Sequence, residues 1–314
     1  MSRRVHIISP DDWQGIVPYL SRQLKDGLAQ FCEVTLSTQP ERSADLNYFA
    51  TWHPRDYPDM SDWGIPSVAM FTHLNTRDPG WYKGAIAKPD YVVAQSNHGR
   101  NILIENGRDP KTITVIYPGN EEFVVPRGNN TTGKVIVGIS GRLYDNGRKR
   151  EWLPLELAWG MSKEVMDKVH WLIAGEWWDF QVERMYTYGL SVQYAPRTLS
   201  DKSVRFDYDK YPQIFSYFDL YLCTSFVEGG PMGALQALAT GTPVISPNYG
   251  YCSDFAGADS QGRERVIHYA AIEELAGKLE KFIESPYRVD PVVIPWENWG
   301  KEHLALFERI WAKT

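Results

Sequence analysis

Residues Ser225–Ser246 read SFVEGGPMGALQALATGTPVIS, and this stretch decides the fold class. Gly229, Gly230 and Pro231 precede a helix-sized apolar run, Gly241 and Pro243 close it, and Val244-Ile245 resume a strand pattern. Leu220-Tyr221-Leu222-Cys223-Thr224 just before it is itself a short strand pattern. Strand, glycine-rich turn, helix and strand in that order belong to a parallel sheet covered by helices. Pro231 suits the first helical position, where its missing N–H costs nothing, and the glycines let backbone approach a ligand closely. The unpaired amides of such a first turn carry partial positive charge and bind phosphate. Glu228, in the loop before, then offers a carboxylate to hydroxyls of whatever those amides hold. Gln236 stands eight residues on, about two turns along much the same face, with an amide that both donates and accepts.

Outward from this segment the same alternation runs along the chain. Strands are expected at Val5–Ser9, Glu33–Ser37, Leu46–Trp52, Ser67–Thr72, Tyr91–Gln95 and Thr112–Tyr117. Ile16, Leu20, Leu24 and Leu28, with Val17 and Phe31 beside them, mark one face of a helix that packs on the first sheet. Pro126–Gly133 holds only turn-forming and polar residues, the composition of a linker. Strands resume at Val135–Ser140, His170–Ala174, Ser191–Tyr194, Val204–Phe206, Leu220–Thr224, Pro243–Ser246 and Val266–Tyr269. The expected organisation is therefore α/β, with one domain over 1–125, a linker over 126–133 and a second domain over 134–297. A terminal helix over 298–314, with His303, Leu306, Phe307 and Ile310 at helical spacing, needs a surface to cover.

Composition narrows the function classes. At 314 residues the chain exceeds the size at which single cores stop growing, which favours two domains. A net charge of -6 argues against nucleic acid as the partner. Cys32, Cys223 and Cys252 have no CxxC spacing, which favours a reducing, cytoplasmic location; peripheral membrane contact stays open. Most of the twelve tryptophans are expected to serve packing.

A second candidate site follows Val135–Ser140, where Gly141 turns the chain and Arg142 stands just past the carboxyl end of the strand. In open parallel sheets that edge binds ligands. Arg148-Lys149-Arg150 follow at the start of an expected helix, so that Arg142 and one of them can converge on one anion. Asp207-Tyr208-Asp209 has the Asp-x-Asp form of some metal sites, but the proline at 212 makes Asp209 read as a helix-start residue, and the seven histidines show no ligand spacing. No metal is expected.

These motifs resemble those of the retaining nucleotide-sugar glycosyltransferases of the GT-B fold. Glu228, Gly229, Gly230, Ala237, Gly241, Pro243, Val244 and Ile245 match the family's signature, and Gly141-Arg142-Leu143 with Arg148 or Lys149 matches its Gly-Arg-Leu and following Lys. His73, Asp90–Ser96 and Tyr117–Asn120 resemble motifs of its N-terminal half, and Gly15 its glycine after the first strand. The resemblance implies two Rossmann-like domains facing across a cleft, with the terminal helix crossing back. It implies retaining transfer of a hexose-type sugar from a UDP- or GDP-sugar to an acceptor the sequence does not name, with no cofactor. Arg142, Lys149 and the amides at Gly229, Gly230, Met232 and Gly233 would hold the diphosphate, with Gly141 and Arg148 beside them. Glu228 would hold sugar hydroxyls, Gln236 the ribose and His73 the sugar or the reaction centre.

Three departures stand out: Gln236 replaces a second Glu, the cation after Arg142 is offset so that Arg148 and Lys149 compete, and the first half is short. A glycosyltransferase-like accessory protein and a nucleotide-sugar epimerase are the alternatives.

Overall fold

The computed structural model describes residues 3–9, 16–51, 60–72, 79–143, 147–195, 211–225 and 228–314. The chain divides into two compact units. Unit 1 comprises Met1–Gly119, Glu228–Gly230 and Ile294–Thr314, and unit 2 comprises Asn120–Val227 and Pro231–Val293.

Unit 1 is built on a parallel sheet of β1 (Arg4–Ile8), β2 (Glu33–Ser37), β3 (Leu46–Phe49), β4 (Ser67–Phe71), β5 (Tyr91–Ala94) and β6 (Ile113–Val115). Its order is β2-β1-β3-β4-β5-β6. The chain runs outward from β1 to β2, then returns to the other side of β1 as β3, so the order reverses between β1 and β3. Helices α1 (Ile16–Leu28), α2 (Pro79–Ala87) and α3 (Asn97–Glu105) connect the strands. Val17, Leu20, Leu24 and Leu28 of α1 are buried, as their spacing requires. Phe31 lies beyond the helix end and is 46% exposed, because the chain has already turned away at Ala29–Cys32.

Helix α11 (Trp296–Trp311) also belongs to unit 1. It crosses α1 where Gly27 and Gly300 meet; a Cβ on Gly300 would lie 2.9 Å from Gly27 backbone atoms. Trp299, Leu306, Phe307 and Ile310 join the core around Val5 and Ile7. His303 is fully buried in this core. Its Nδ1–H donates to the Trp299 carbonyl at 2.7 Å, which leaves Nε2 to accept from the Tyr48 hydroxyl at 3.0 Å. Burial pushes the imidazole pKa down from 6.5 to about 3 and the Tyr48 phenol upward.

In unit 2, strands β7 (Val135–Ser140), β8 (Val169–Ala174), β9 (Val192–Ala195), β10 (Leu220–Leu222), β11 (Val244–Ser246) and β12 (Val266–His268) form a second parallel sheet. Its order is β12-β11-β10-β7-β8-β9. Counted from β7, this is the 3-2-1-4-5-6 order of a dinucleotide-binding fold, and the switch falls between β7 and β10. The helices are α4 (Leu153–Gly160), α5 (Lys163–Met166), α6 (Asp179–Thr187), α7 (Tyr211–Ser216), α8 (Met232–Ala239), α9 (Tyr251–Asp254) and α10 (Ile272–Glu284). Two apolar clusters fill the sheet's faces, one around Trp171 and Leu279, the other around Phe215 and Leu238. The expected strand at Val204–Phe206 lies outside the described residues.

The turn-rich stretch 126–133 is fastened inside unit 2. Arg127 pairs with Asp219, whose other carboxylate oxygen accepts from the Ile136 N–H at 2.9 Å, and Gly128 N–H donates to the Ser216 carbonyl. The division falls instead at Gly119/Asn120. Asn120 is fully buried and donates from Nδ2 to the carbonyls of Leu235 and Val292, tying the entry and exit of unit 2 together. Cys32, Cys223 and Cys252 are free and buried. Among the described residues no helix is long and apolar enough to cross a membrane.

Candidate functional site

The site is assembled at the switch point of unit 2. β7 and β8 pair in a register that sets Ser140 against Ala174, so the turns that follow, Gly141-Arg142 and Gly175-Glu176, lie side by side. Gly175 has φ +149, and a Cβ there would overlap the Gly141 carbonyl oxygen. That carbonyl accepts a hydrogen bond from the indole N–H of the buried Trp178 at 2.8 Å. Packing and a polar contact together fix the backbone that presents Arg142.

Arg142 is not solitary. Its Nε and Nη2 both donate to Oε2 of Glu176 at 2.6 Å, and its guanidinium carbon lies 5.0 Å from the centre of the Trp177 ring. Glu176 is 6% exposed. A buried carboxylate next to a guanidinium satisfies the rule that buried charge must be paired.

The basic run after Arg142 forms a turn, and the expected helix start moves to Leu153. Arg150 adopts φ 43 and turns inward, donating from Nε to the Thr224 carbonyl at 2.7 Å and from Nη2 to the Tyr269 hydroxyl at 2.5 Å. It therefore ties the ends of β10 and β12 together. Lys149 points the other way, with Nζ 3.7 Å from where a Cβ on Gly141 would stand. Of the two competing cations, Lys149 is thus placed beside the Gly141 turn, and Arg148 is half-buried near it in sequence.

Helix α8 reaches the same edge. Its second residue, Gly233, is seated on Tyr221 and Ser140, and a Cβ there would overlap both hydroxyl groups, which bond each other at 3.0 Å. The first turn of α8 therefore lies against the residue just before Gly141. Among the described residues, nothing accepts from the N–H groups of Met232 and Gly233, while Ala234 N–H bonds the Pro231 carbonyl. Those two amides point their partial positive charge at the carboxyl edge of the sheet.

Three sequence expectations change here. Pro231 is the residue capping α8 rather than its first helical residue. Glu228 lies in non-helical backbone, so Gln236 is not two helical turns from it; Gln236 is the fifth residue of α8, only one turn beyond Met232, and 4% exposed. Gly229, expected to let backbone approach a ligand, uses its peptide within unit 1: its N–H donates to the Thr72 carbonyl at 3.1 Å, and its carbonyl accepts from Ser96 Oγ at 2.5 Å. Ser96 Oγ in turn caps α3 by accepting from Gly99 N–H. Glu228 and Gly230, half-buried, flank this link.

Sequence reasoning missed Glu176, Trp177 and Trp178. A signal was present: Ile173-Ala174-Gly175-Glu176 repeats the strand–glycine–charge pattern of Ile139-Ser140-Gly141-Arg142. His73, Gly15, Asp207 and Asp209 lie outside the described residues. Among the described residues no cluster of three or more His, Cys, Asp or Glu is arranged to hold a metal.

The family described as "Glycosyl transferases group 1" matches residues 155–292, which include α8 and the strands beside it. This region is a group 1 glycosyltransferase domain. The chain is similar to the MMP alpha-(1->4)-mannosyltransferase of Mycolicibacterium hassiacum, at 20% identity over 80% of this chain and 67% of the relative. Among solved structures it is similar to the sucrose-phosphate synthase of Thermosynechococcus elongatus, with a TM-score of 0.73 and 13% identity over 99% of this chain and 100% of that one. It is also similar to Anabaena HepE in complex with UDP and glucose, with a TM-score of 0.64 and 14% identity over 90% of each chain. The chain has the GT-B fold; the residues matched to the family include Glu176 and α8, whereas Gly141, Arg142 and Lys149 precede them.

Proposed function

We propose that this glycosyltransferase moves a hexose-type sugar from a nucleoside diphosphate sugar to an acceptor with retention of anomeric configuration and without a metal. The observation that carries the reading is the meeting of the Gly141-Arg142 turn, Lys149 and the first turn of α8 at the β7/β10 switch point. Breaking the anomeric bond leaves negative charge on the diphosphate. Preorganised cations and amides stabilise such charge most when they are already in place before reaction. Arg142, Lys149 and the amides of Met232 and Gly233 supply that role, the positive charge a divalent ion would otherwise bring. HepE, which has a similar fold, is in complex with UDP, which supports a nucleoside diphosphate as the ligand class.

Glu228 is the proposed partner of sugar hydroxyls, Gln236 of the ribose and His73 of the sugar or the reaction centre. Departure of the sugar leaves the diphosphate oxygen as the base nearest the incoming acceptor hydroxyl, so no separate protein base is required.

A thermal-shift panel of UDP, GDP and ADP with their sugars identifies the donor; the right one raises stability by about 2.7 kcal/mol at a hundredfold excess over Kd. With that donor, Arg142→Ala is expected to lower kcat/KM by two or more powers of ten, about 3 kcal/mol, the usual loss for one donor to a developing anion. A near-wild-type rate would remove Arg142 from the mechanism.

A further inference from the structure

We infer that Glu176 and Trp177 are positioning residues that preset Arg142 for a diphosphate. The inference rests on the proposed role of Arg142. A guanidinium is a planar fork of five N–H donors on a long, rotamer-rich stem, and its use depends on which edge is free. Oε2 of Glu176 takes the Nε and Nη2 edge, and the Trp177 indole covers one face. Among the described residues Nη1 meets no hydrogen-bond acceptor. The free donors therefore point one way only.

Trp177 has no packing reason to be where it is. It is 59% exposed, and its backbone sits at φ 67, a left-handed conformation rare for a bulky side chain. Its neighbour Trp178 is fully buried and holds the Gly141 carbonyl. The two adjacent indoles divide the work: one anchors the turn in the core, the other is held at the surface over the guanidinium. Glu176, being buried, keeps its carboxylate on Arg142 instead of releasing it to water.

Positioning and simple electrostatics predict opposite signs. If Glu176 only weakens the local positive potential, its neutralisation tightens binding of a polyanion. If it aims the fork, neutralisation loosens binding. The probe is inorganic pyrophosphate, which carries no base or sugar, titrated by calorimetry into the full chain.

Glu176→Gln and Trp177→Ala are each expected to weaken pyrophosphate binding about fivefold or more, and Trp177→Phe to stay within about twofold of wild type. In an Arg142→Ala background neither change should weaken binding further, a non-additivity that a general loss of structure would not give. Tighter or unchanged binding in Glu176→Gln, or equal losses in the Arg142→Ala background, would overturn the inference while leaving Arg142 in its role. Should Glu176→Gln fail to fold, the Trp177 pair reads the same question. Arg142→Ala protein that binds pyrophosphate like wild type, or wild-type protein that does not bind it at millimolar concentration, would remove both the inference and the reading beneath it.

Discussion

The two sheets each reverse their strand order once, and the two reversal points are furnished differently. At β7/β10 in unit 2 the residues past the strand ends are charged and paired: Arg142 with Glu176, and Arg150 with the Thr224 carbonyl and Tyr269. At β1/β3 in unit 1 the corresponding positions hold Ser9 and Thr51. Both are buried, and among the described residues neither hydroxyl has a hydrogen-bond partner. A parallel sheet supplies the crevice in both cases, because strands leaving in opposite directions part their loops there. The side chains decide what the crevice can hold. One edge carries paired charged side chains, the other two small buried hydroxyls.

The largest test of this contrast is Gly175→Ala. The new methyl would overlap the Gly141 carbonyl and sit on a backbone at φ +149, which L side chains rarely adopt. Strained backbone of this kind costs about 1–3 kcal/mol and overpacking a similar amount, so a loss of more than about 3 kcal/mol in urea denaturation is expected. A variant as stable as wild type would show that the two turns do not depend on their close contact.

A second test probes the unit 1 core by pH; in unit 2, burial likewise pushes the pKa of His170 and His268 down. Unit 1 carries its titratable group in the core, at His303, whose folded pKa is about 3 against an ordinary 6.5. Below about pH 6.5 the unfolded chain takes up a proton that the folded chain refuses. Stability from this group is therefore full above 6.5 and falls as pH drops toward 3, at up to about 1.4 kcal/mol per pH unit. His303→Gln should flatten the slope of stability between pH 6.5 and 5. An unchanged slope would place the pH dependence elsewhere.

The smallest effect is expected at the unit 1 reversal point. An orphaned buried hydroxyl contributes nothing by bonding, so Ser9→Ala and Thr51→Val should change stability by less than about 1 kcal/mol, in either direction. If these hydroxyls meet the acceptor, the same variants raise its KM. A loss of stability well above 1 kcal/mol would show that they are already satisfied in the folded chain and would erase the contrast.

Much of the architecture was legible because burial imposes periods on the sequence. The four-residue recurrence of Ile16, Leu20, Leu24 and Leu28 located α1, and the strand starts at Glu33, Leu46, Ser67, Tyr91 and Val135 agree with the structure. The strand expected over Leu220–Thr224 ends at Leu222, with one further bond from Cys223 N–H to the Ile245 carbonyl before the chain leaves the sheet. Pro126–Gly133 looked like a linker by composition, yet Asp219 holds it through contacts some ninety positions away. Gly229 was legible as permissive backbone, but its bonds to Thr72 and Ser96 depend on residues more than a hundred positions earlier.

The sequence by itself determined the α/β class, the Gly-Arg turn and the glycine-proline entry to α8, because these follow from local periodicity and local backbone freedom. The tertiary structure alone decided that Arg142 is bound by Glu176 and Trp177, that Arg150 turns inward, and that Gly233 seats α8 on Ser140. Each of these depends on strand register, and register is set by the packing of the whole sheet, which brings distant segments together in a way no local pattern encodes.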